Sequence, residues 1–431
     1  MICSREFTGF RGASSVSVRP DRTSDSASAW RQIAQVPAHT WRVFCICLLG
    51  VSFANLDHSL FTFVLTEFSE EFNWSLTDRG WYIFITFVLA GLVITRLGVL
   101  TDRLGRKKML LATTLLTPVF VAALAWVPNT LSLVVARTLG FAMAGAQSPI
   151  TITTMLEESP ARLRGLFSGI LQIGFPIGFF LAGLLVPWIY ARFGWRYIFL
   201  LALVFLPYAW IIHRYLREPQ AWLAAREMGG RIPRTRELFR PDLRRKTILL
   251  FLGQFLYVFA YGTTILLTAY FREALGWEAE EAIQMVGFSF GIGAFGYIAA
   301  AIVGEFYLSR RNTIVLWCWL GGLAFAAMVW LVQERAQMLA IFGLMTFFFY
   351  GAYAVIATFI AENYPPELRA TAASFAGSLA IELGLGGGPL VVSYVIEASN
   401  WQWGFTACAV IPVIVAGAIF LGLKPVPREA L

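Results

Sequence analysis

The chain alternates between long apolar segments and short polar ones. The apolar runs are about twenty residues long, which is the length that a helix needs to cross a bilayer. We therefore predict an all-α membrane protein with twelve transmembrane helices, six on each side of a long polar segment. The predicted spans are 42–66, 80–98, 108–127, 131–155, 165–189, 195–215, 247–271, 282–306, 312–332, 337–361, 370–396 and 401–423.

The polar segments divide the chain into four predicted parts. Residues 1–40 are rich in Ser and Arg and have no apolar core, which is typical of a disordered cytoplasmic tail. Residues 41–215 form an N-terminal six-helix bundle, and residues 247–424 form a C-terminal one. Residues 216–246 are the basic cytoplasmic linker between them.

The composition agrees with a membrane protein and explains the net charge. Of the 431 residues, 58% are hydrophobic and 14% are charged, whereas soluble domains have about 25% charged residues. A net charge of +8 would suggest a nucleic-acid partner in a soluble protein. Here 27 of the 34 basic residues fall in the segments on one side of the predicted spans, which is the positive-inside pattern. We expect a bacterial inner-membrane protein in a lipid bilayer, with both termini cytoplasmic and no nucleic-acid partner.

Two short elements indicate an internal duplication. In EESPARLRG, Glu157 and Arg164 are seven residues apart, and in ENYPPELRA the same spacing separates Glu362 and Arg369. Both residues of the second pair are shifted by 205 from the first. The same shift carries Arg106 to Arg311. Repeats of this kind are the sequence signature of a fold built from two similar halves.

The segment GVLTDRLGRKK, between the second and third predicted spans, predicts a conformational latch. Its two glycines allow helices to approach closely and turn tightly, and an aspartate can hold an arginine or cap a helix. Its arginines can pair with Glu157 or with carbonyls at a helix end. Topogenic charge explains its lysines but neither the aspartate nor the glycines. The predicted cytoplasmic gate comprises Gly98, Asp102, Arg103, Gly105, Arg106, Glu157, Arg164, Glu362 and Arg369.

These motifs resemble those of the major facilitator superfamily over residues 40 to 425. The resemblance implies two pseudo-symmetric six-helix bundles and secondary transport by alternating access. RTLGFAMAGAQSP and RGLFSGILQIGFPIGFFLAGLL look most like metabolite–proton symporters of the sialate and aromatic-acid groups. Those groups place acids where this chain has Ala54 and Gln147, so the usual number of coupled protons is not implied.

Ionisable residues deep in a membrane span are costly, so each is a candidate functional residue. The predicted proton-coupling residues are Asp57, His58, Arg137 and Glu382. The resemblance implies that the first and fourth spans are neighbours at the cavity, so Asp57 and Arg137 are predicted to pair there, either as a coupling pair or as a fixed structural ion pair. His58 is a proton relay or a packed histidine. Glu382 is a proton carrier, or it belongs to a span whose glycines serve bending and close packing.

The resemblance implies a cavity lined by the first, fourth, seventh and tenth spans, and polar residues at helical spacing on these spans predict a substrate site there. Hydroxyl and aromatic groups recur on one face of the fourth, seventh and tenth spans, although tyrosine stripes also serve interhelical packing. The predicted substrate-binding residues are Gln147, Thr151, Gln254, Tyr257, Tyr261, Tyr350 and Tyr353.

These observations predict a secondary transporter of a small organic solute, an organic acid or another metabolite, coupled to protons. A drug or metabolite exporter of the same fold is the alternative, and a non-transporting sensor is a further one. An enzyme is excluded because the chain has no Walker loop, no nucleophile elbow and no metal-ligand spacing. We expect a monomer without catalytic residues, cofactor, metal or disulfide.

Overall fold

The fold consists of helices that are long enough to cross a membrane. The structure is a computed structural model that describes residues 35–160, 163–218, 235–332, 334–365 and 368–425. No β-strand occurs among these described residues, and those from Ala38 onward form one compact unit. The membrane-spanning helices are α1 (Ala38–Phe63), α2 (Leu76–Leu104), α3 (Arg106–Trp126), α4 (Thr130–Glu158), α5 (Arg164–Phe193), α6 (Trp195–Tyr215), α7 (Arg244–Ala274), α8 (Ala279–Tyr307), α9 (Arg310–Leu331), α10 (Arg335–Glu362), α11 (Phe375–Ala398) and α12 (Trp401–Leu421).

Helix α4 differs from the others in polarity. Within the described residues, the other eleven helices are apolar enough to be identified as membrane spans by length and composition. Helix α4 has 29 residues, which corresponds to about 43 Å, but it carries Arg137, Gln147 and a run of threonines. A span with this polarity is stable only when it is surrounded by protein, so α4 is expected to line a functional site.

Three predicted boundaries need correction. Helix α1 begins at Ala38, so the last residues of the predicted tail 1–40 are helical, while residues 1–34 lie outside the described part. Helix α2 begins at Leu76 rather than near residue 80, because Ser75 and Asp78 form a reciprocal capping box. Helix α7 begins at Arg244, inside the predicted linker, of which residues 219–234 are not described.

The first six and the last six helices meet along two helix pairs. Helix α2 packs against α11, and α5 packs against α8. In the second pair Gly183 faces Gly287 so closely that a Cβ added to Gly183 would lie 2.5 Å from Gly287 Cα. Small residues allow this backbone approach in membranes, where van der Waals packing rather than hydrophobic burial drives helix association.

The internal duplication also occurs as a repeated contact. Arg164 Nε donates a hydrogen bond to Ser159 O at 3.4 Å, and Arg369 Nε donates one to Tyr364 O at 3.3 Å. In both cases the acceptor precedes the arginine by five residues, and both residues are shifted by 205. The two halves therefore share this contact between an arginine and the backbone oxygen five residues before it.

Candidate functional site

A cavity of about 150 Å³ lies between the two halves of the molecule. Helices α1, α4 and α5 line one side, and α7, α8, α10 and α11 line the other, so α5, α8 and α11 contribute in addition to the four predicted spans. An apolar cavity of this order holds one benzene ring. Its lining residues are Ala54, Asn55, His58, Thr62, Phe141, Ala144, Gly145, Ser148, Gln172, Phe175, Phe179, Val258, Tyr261, Thr264, Ile265, Phe290, Tyr353, Ile381 and Leu385.

Aromatic rings form much of the cavity wall. Phe179 stacks on Phe290 with ring centroids 4.3 Å apart, and Phe290 stacks on Tyr350 at 4.7 Å. Phe175 lies 5.0 Å from Phe179 and 5.4 Å from Tyr261. Offset and edge-to-face arrangements at these distances are favourable for aromatic pairs, and a planar ring in the cavity would extend the same packing.

A buried arginine lies directly behind one cavity wall. Arg137 is 4% exposed, and its Nη2 donates a hydrogen bond to His58 Nδ1 at 3.0 Å. Its guanidinium also lies 4.5 Å from the ring centroid of Phe61 and 5.4 Å from that of Phe141. These cation–π contacts and the hydrogen bond partly replace the hydration of the buried charge.

The predicted Asp57–Arg137 contact is replaced by this histidine contact. Asp57 is 5% exposed, its Oδ1 has no hydrogen-bond partner, and no ion pair joins it to Arg137 among the described residues. Asp57 and His58 are neighbours in the chain and lie about 100° apart around α1, so only one of them can face Arg137 squarely. Asp57 lies about 9 Å from the end of α1, and Arg137 lies about 10 Å from the start of α4, so the two residues share a depth.

Glu382 lies at the contact between α2 and α11. A Cβ added to Gly91 of α2 would lie 3.1 Å from Glu382 Cγ. Its Oε2 is buried and has no hydrogen-bond partner within the described part of the chain. The neighbouring Ile381 and Leu385 line the cavity. Glu382 is therefore placed next to the cavity and between the two halves, and its role in coupling stays a prediction.

The structure brings two of the seven predicted substrate-binding residues to the cavity, namely Tyr261 and Tyr353. The other five are buried elsewhere, and their substrate role stays a prediction. Three of them form hydrogen bonds within the protein: Gln147 Nε2 donates to Thr117 Oγ1 at 3.2 Å, Thr151 Oγ1 donates to Gln147 O at 2.9 Å, and the Tyr257 hydroxyl donates to Phe349 O at 2.8 Å. The other two, Gln254 and Tyr350, have a side-chain oxygen (Oε1 and Oη) without a hydrogen-bond partner among the described residues.

Besides His58, five polar cavity residues were absent from the predicted substrate set, namely Asn55, Thr62, Ser148, Gln172 and Thr264. Asn55 lies on α1, Ser148 lies on α4, and Gln172 lies where the α-helical hydrogen bonding of α5 is interrupted between Leu171 and Gly174. The signal for Ser148 was its helical spacing from Arg137. Gln172 stands where the α-helical hydrogen bonding is interrupted, so helical periodicity gave no signal for it.

We call the side of the membrane that carries the GVLTDRLGRKK segment the basic face. There Gly105 separates α2 from α3 with a φ of +111°, a conformation that favours glycine. Arg106 Nη2 lies 3.6 Å from Glu157 Oε1, so the structure brings these two predicted gate residues together. The backbone N–H groups of Lys107 and Lys108 donate to Glu218 at 3.2 and 3.3 Å, and this carboxylate caps α3.

One expectation for the basic face is wrong, and the second half pairs its arginine at a shifted position. A Cβ on Gly98 would meet no atom within 4 Å, so the close helix approach predicted there does not occur. Glu362 pairs with Arg310, not with Arg311, which donates instead to Leu423 O at 2.9 Å. Arg310 thus takes the place in the second half that Arg106 has in the first, one residue before the position given by the shift of 205, because α9 begins at Arg310. Arg103 is exposed, and the side chain of Asp102 lies outside the described part.

We call the opposite side the acidic face. Arg272 of α7 lies 2.7 Å from Glu67, and Arg79 of α2 pairs with Glu273. The N–H of Thr77 at the start of α2 donates to Glu397 of α11 at 2.8 Å. Each of these contacts joins the first six helices to the last six. The acidic face is therefore closed by polar contacts in this conformation.

Glu67 makes closure of the acidic face sensitive to pH. Burial raises the pKa of the Glu67 carboxyl above its ordinary value, while the charge of Arg272 lowers it by less. The raised pKa belongs to the closed face, where Glu67 is buried. Protonation therefore favours closure as the pH falls towards this pKa, and this contribution is lost as the pH rises through it.

We expect Glu67→Gln to favour the closed acidic face at neutral pH and to reduce the pH dependence of its closure. The measurement is the distance between spin labels at the exposed positions Leu131 and Leu331. Glu71→Gln is the control, because its partner Arg196 lies in the same half of the molecule. An unchanged pH profile in Glu67→Gln would contradict the expectation.

Comparison with known proteins gives a consistent result. A family model described as the Major Facilitator Superfamily matches residues 47–380 and 250–431. The chain is 24% identical over 401 residues to the cis,cis-muconate transport protein of Acinetobacter baylyi, covering 89% of this chain and 96% of that protein. It is 29% identical over 384 residues to the gallate transporter of Pseudomonas putida, covering 80% and 83%. The crystal structure of the human organic anion transporter MFSD10 (TETRAN) is similar in fold, with a TM-score of 0.69, 17% identity and coverage of 89% and 100%.

Proposed function

The chain belongs to the Major Facilitator Superfamily, and on this premise we propose that it is a proton-coupled transporter of a small aromatic or otherwise planar carboxylic acid. The observation that carries the proposal is the cavity between the two halves, with aromatic walls and Arg137 behind one of them. The names of the muconate and gallate transporters, which both describe carriers of unsaturated organic acids, support the same class of substrate.

The cavity fits such a substrate in size, polarity and charge. Its volume of about 150 Å³ suits a single ring, and Phe175, Phe179 and Phe290 offer ring faces and edges for packing. A carboxylate needs a compensating positive charge in a dehydrated site. Arg137 provides that charge through the His58 contact, since no carboxylate among the described residues forms an ion pair with it.

Transport proceeds by alternating access about this cavity. The contacts of the acidic face, such as Arg272–Glu67, separate when that face opens. On the basic face, the Arg106–Glu157 contact and the residues around it form a latch. This latch biases the equilibrium between the conformation open at the acidic face and the conformation open at the basic face. The ion pairs of the acidic face join the two halves, whereas Arg106–Glu157 joins two helices of the first half. Rocking of the halves therefore breaks or forms the acidic-face pairs, which is a means of setting this equilibrium.

Purified full-length protein in proteoliposomes tests the proposal. With an acidic exterior and no ATP, we expect accumulation of labelled benzoate or gallate above its external concentration, and loss of that accumulation when an ionophore collapses the pH gradient. Liposomes without protein, which report passive permeation of the protonated acid, are the control. Export of the solute from the proteoliposomes instead of uptake would favour the exporter alternative. A protein that moves no carboxylate in either direction would refute the proposal.

A further inference from the structure

His58 connects the buried charge of the protein to the space in which a substrate binds. Its ring lines the cavity, and its Nδ1 lies 3.0 Å from Nη2 of Arg137. The rings of Phe141 and Phe179 flank it, with centroid distances of 5.3 and 5.8 Å. These contacts hold the imidazole between the guanidinium and the cavity.

The partner of Nδ1 decides which nitrogen of His58 carries the proton. An arginine side chain has five N–H donors and no acceptor, so the contact requires Nδ1 to accept. A neutral imidazole has one donor and one acceptor, and its proton must then reside on Nε2. An imidazolium is excluded in this geometry, because it would place an N–H donor against an N–H donor and a positive charge beside the guanidinium.

Nε2 of His58 is left without an acceptor in the protein. No residue in the described part of the chain forms a hydrogen bond with it. The hydroxyl of Ser148 and the side-chain amide of Gln172 also line the cavity, and neither forms a hydrogen bond with a described residue. The cavity therefore offers one fixed N–H donor, with Arg137 behind it, and two adaptable polar groups nearby.

We propose that His58 donates a hydrogen bond from Nε2 to the substrate carboxylate, and that Arg137 is the positioning residue that fixes this tautomer and supplies the positive charge behind it. This inference rests on the proposed function and adds a specificity-determining residue to it. A carboxylate accepts the hydrogen bond from Nε2 and carries no proton of its own. The positive charge of Arg137 favours binding of this carboxylate over a neutral amide of the same shape. The ring of the substrate packs against the aromatic wall.

Binding to the full-length protein in nanodiscs tests the role of His58. The probes are benzoate and benzamide, which share a ring and differ in charge. We expect the wild type to prefer benzoate and His58→Asn, which places its amide near Nδ1 and not near Nε2, to bind benzoate about 10- to 100-fold more weakly. His58→Gln, which can place an N–H near the position of Nε2, should stay within about threefold of the wild type. His213→Asn, which removes a histidine outside the cavity, is the control.

The outcomes separate the two proposals. A wild type that binds benzoate, together with a folded His58→Asn that keeps the full preference for it, overturns the role of His58 and leaves the proposed function standing. A wild type that binds neither benzoate nor any other carboxylate overturns the proposed function and this inference with it.

Nitrogen NMR tests the tautomer without a substitution at the site. The chain has three histidines, so selective ¹⁵N labelling gives few signals, and His39→Gln and His213→Asn identify the other two. We expect His58 to show an unprotonated Nδ1 and a protonated Nε2, with the Nε2 signal moving when benzoate is added. Arg137→Met should shift the Nδ1 signal, because it removes the donor. A protonated Nδ1 in the wild type would overturn the assignment.

Discussion

Asp57→Asn should abolish accumulation of the substrate driven by a pH gradient while exchange of substrate for substrate continues. Asp57 is buried, its Oδ1 has no hydrogen-bond partner among the described residues, and Arg137 makes its close contact with His58 instead. A carboxylate in this position carries a charge that no ion pair balances, so binding a proton removes a desolvation cost of several kcal/mol. Asparagine keeps the shape but cannot exchange that proton.

The experiment compares two assays in the same proteoliposomes. In counterflow, Asp57→Asn should move labelled benzoate at a rate within a few fold of the wild type. Under a pH gradient, it should equilibrate the solute without concentrating it. Concentration of substrate by the variant with the wild-type dependence on the gradient would refute the role of Asp57. Glu382→Gln should then lose accumulation in the same assay, since Glu382 is the other buried carboxyl beside the cavity.

Gly183→Ala should slow transport about 5- to 150-fold, which corresponds to an overpacking cost of 1–3 kcal/mol. The added Cβ would lie 2.5 Å from Gly287 Cα, so α5 and α8 must separate. Gly287 lies about 12 Å along α8 from its acidic-face end at Ala279. The substitution therefore destabilises closure of the acidic face, which the proposed alternating-access cycle requires in one of its steps.

The measurement is the initial rate of benzoate uptake together with the distance between spin labels at Leu131 and Leu331, which should lengthen. Gly377→Ala is the matched control, because a Cβ at that position meets no atom within 4 Å. Transport by Gly183→Ala at the control rate, with an unchanged distance, would show that the close approach of α5 and α8 is not needed for the cycle.

The helical architecture followed from local properties of the chain. The length of an apolar run determines whether a segment can span a bilayer, and this holds before any tertiary contact forms. The spans from α1 to α12 were therefore predictable, including α4, whose Arg137 and Gln147 mark it as a helix that must avoid lipid. The duplication was equally local, because Glu157 and Arg164 recur in sequence at a fixed shift.

Helix ends were less predictable from hydropathy alone. Helix α2 extends to Leu76 and Leu104 because Ser75 caps one end and Gly105 ends the other, and neither residue contributes to an apolar window. The start of α9 at Arg310 displaces the partner of Glu362 by one position relative to the repeat. A shift of one residue turns a side chain by about 100°, which changes its partner.

The sequence by itself determined that this chain spans a membrane in a two-half helical fold, and it identified the residues whose charge is costly there. Only the tertiary structure decided which of these residues meet. Helical periodicity assigns residues to a face but leaves the rotation of each helix against its neighbours open. That rotation is fixed by close contacts such as Gly183 with Gly287. It places His58 rather than Asp57 against Arg137, and it turns Tyr261 towards the cavity while Tyr257 bonds to the backbone of α10.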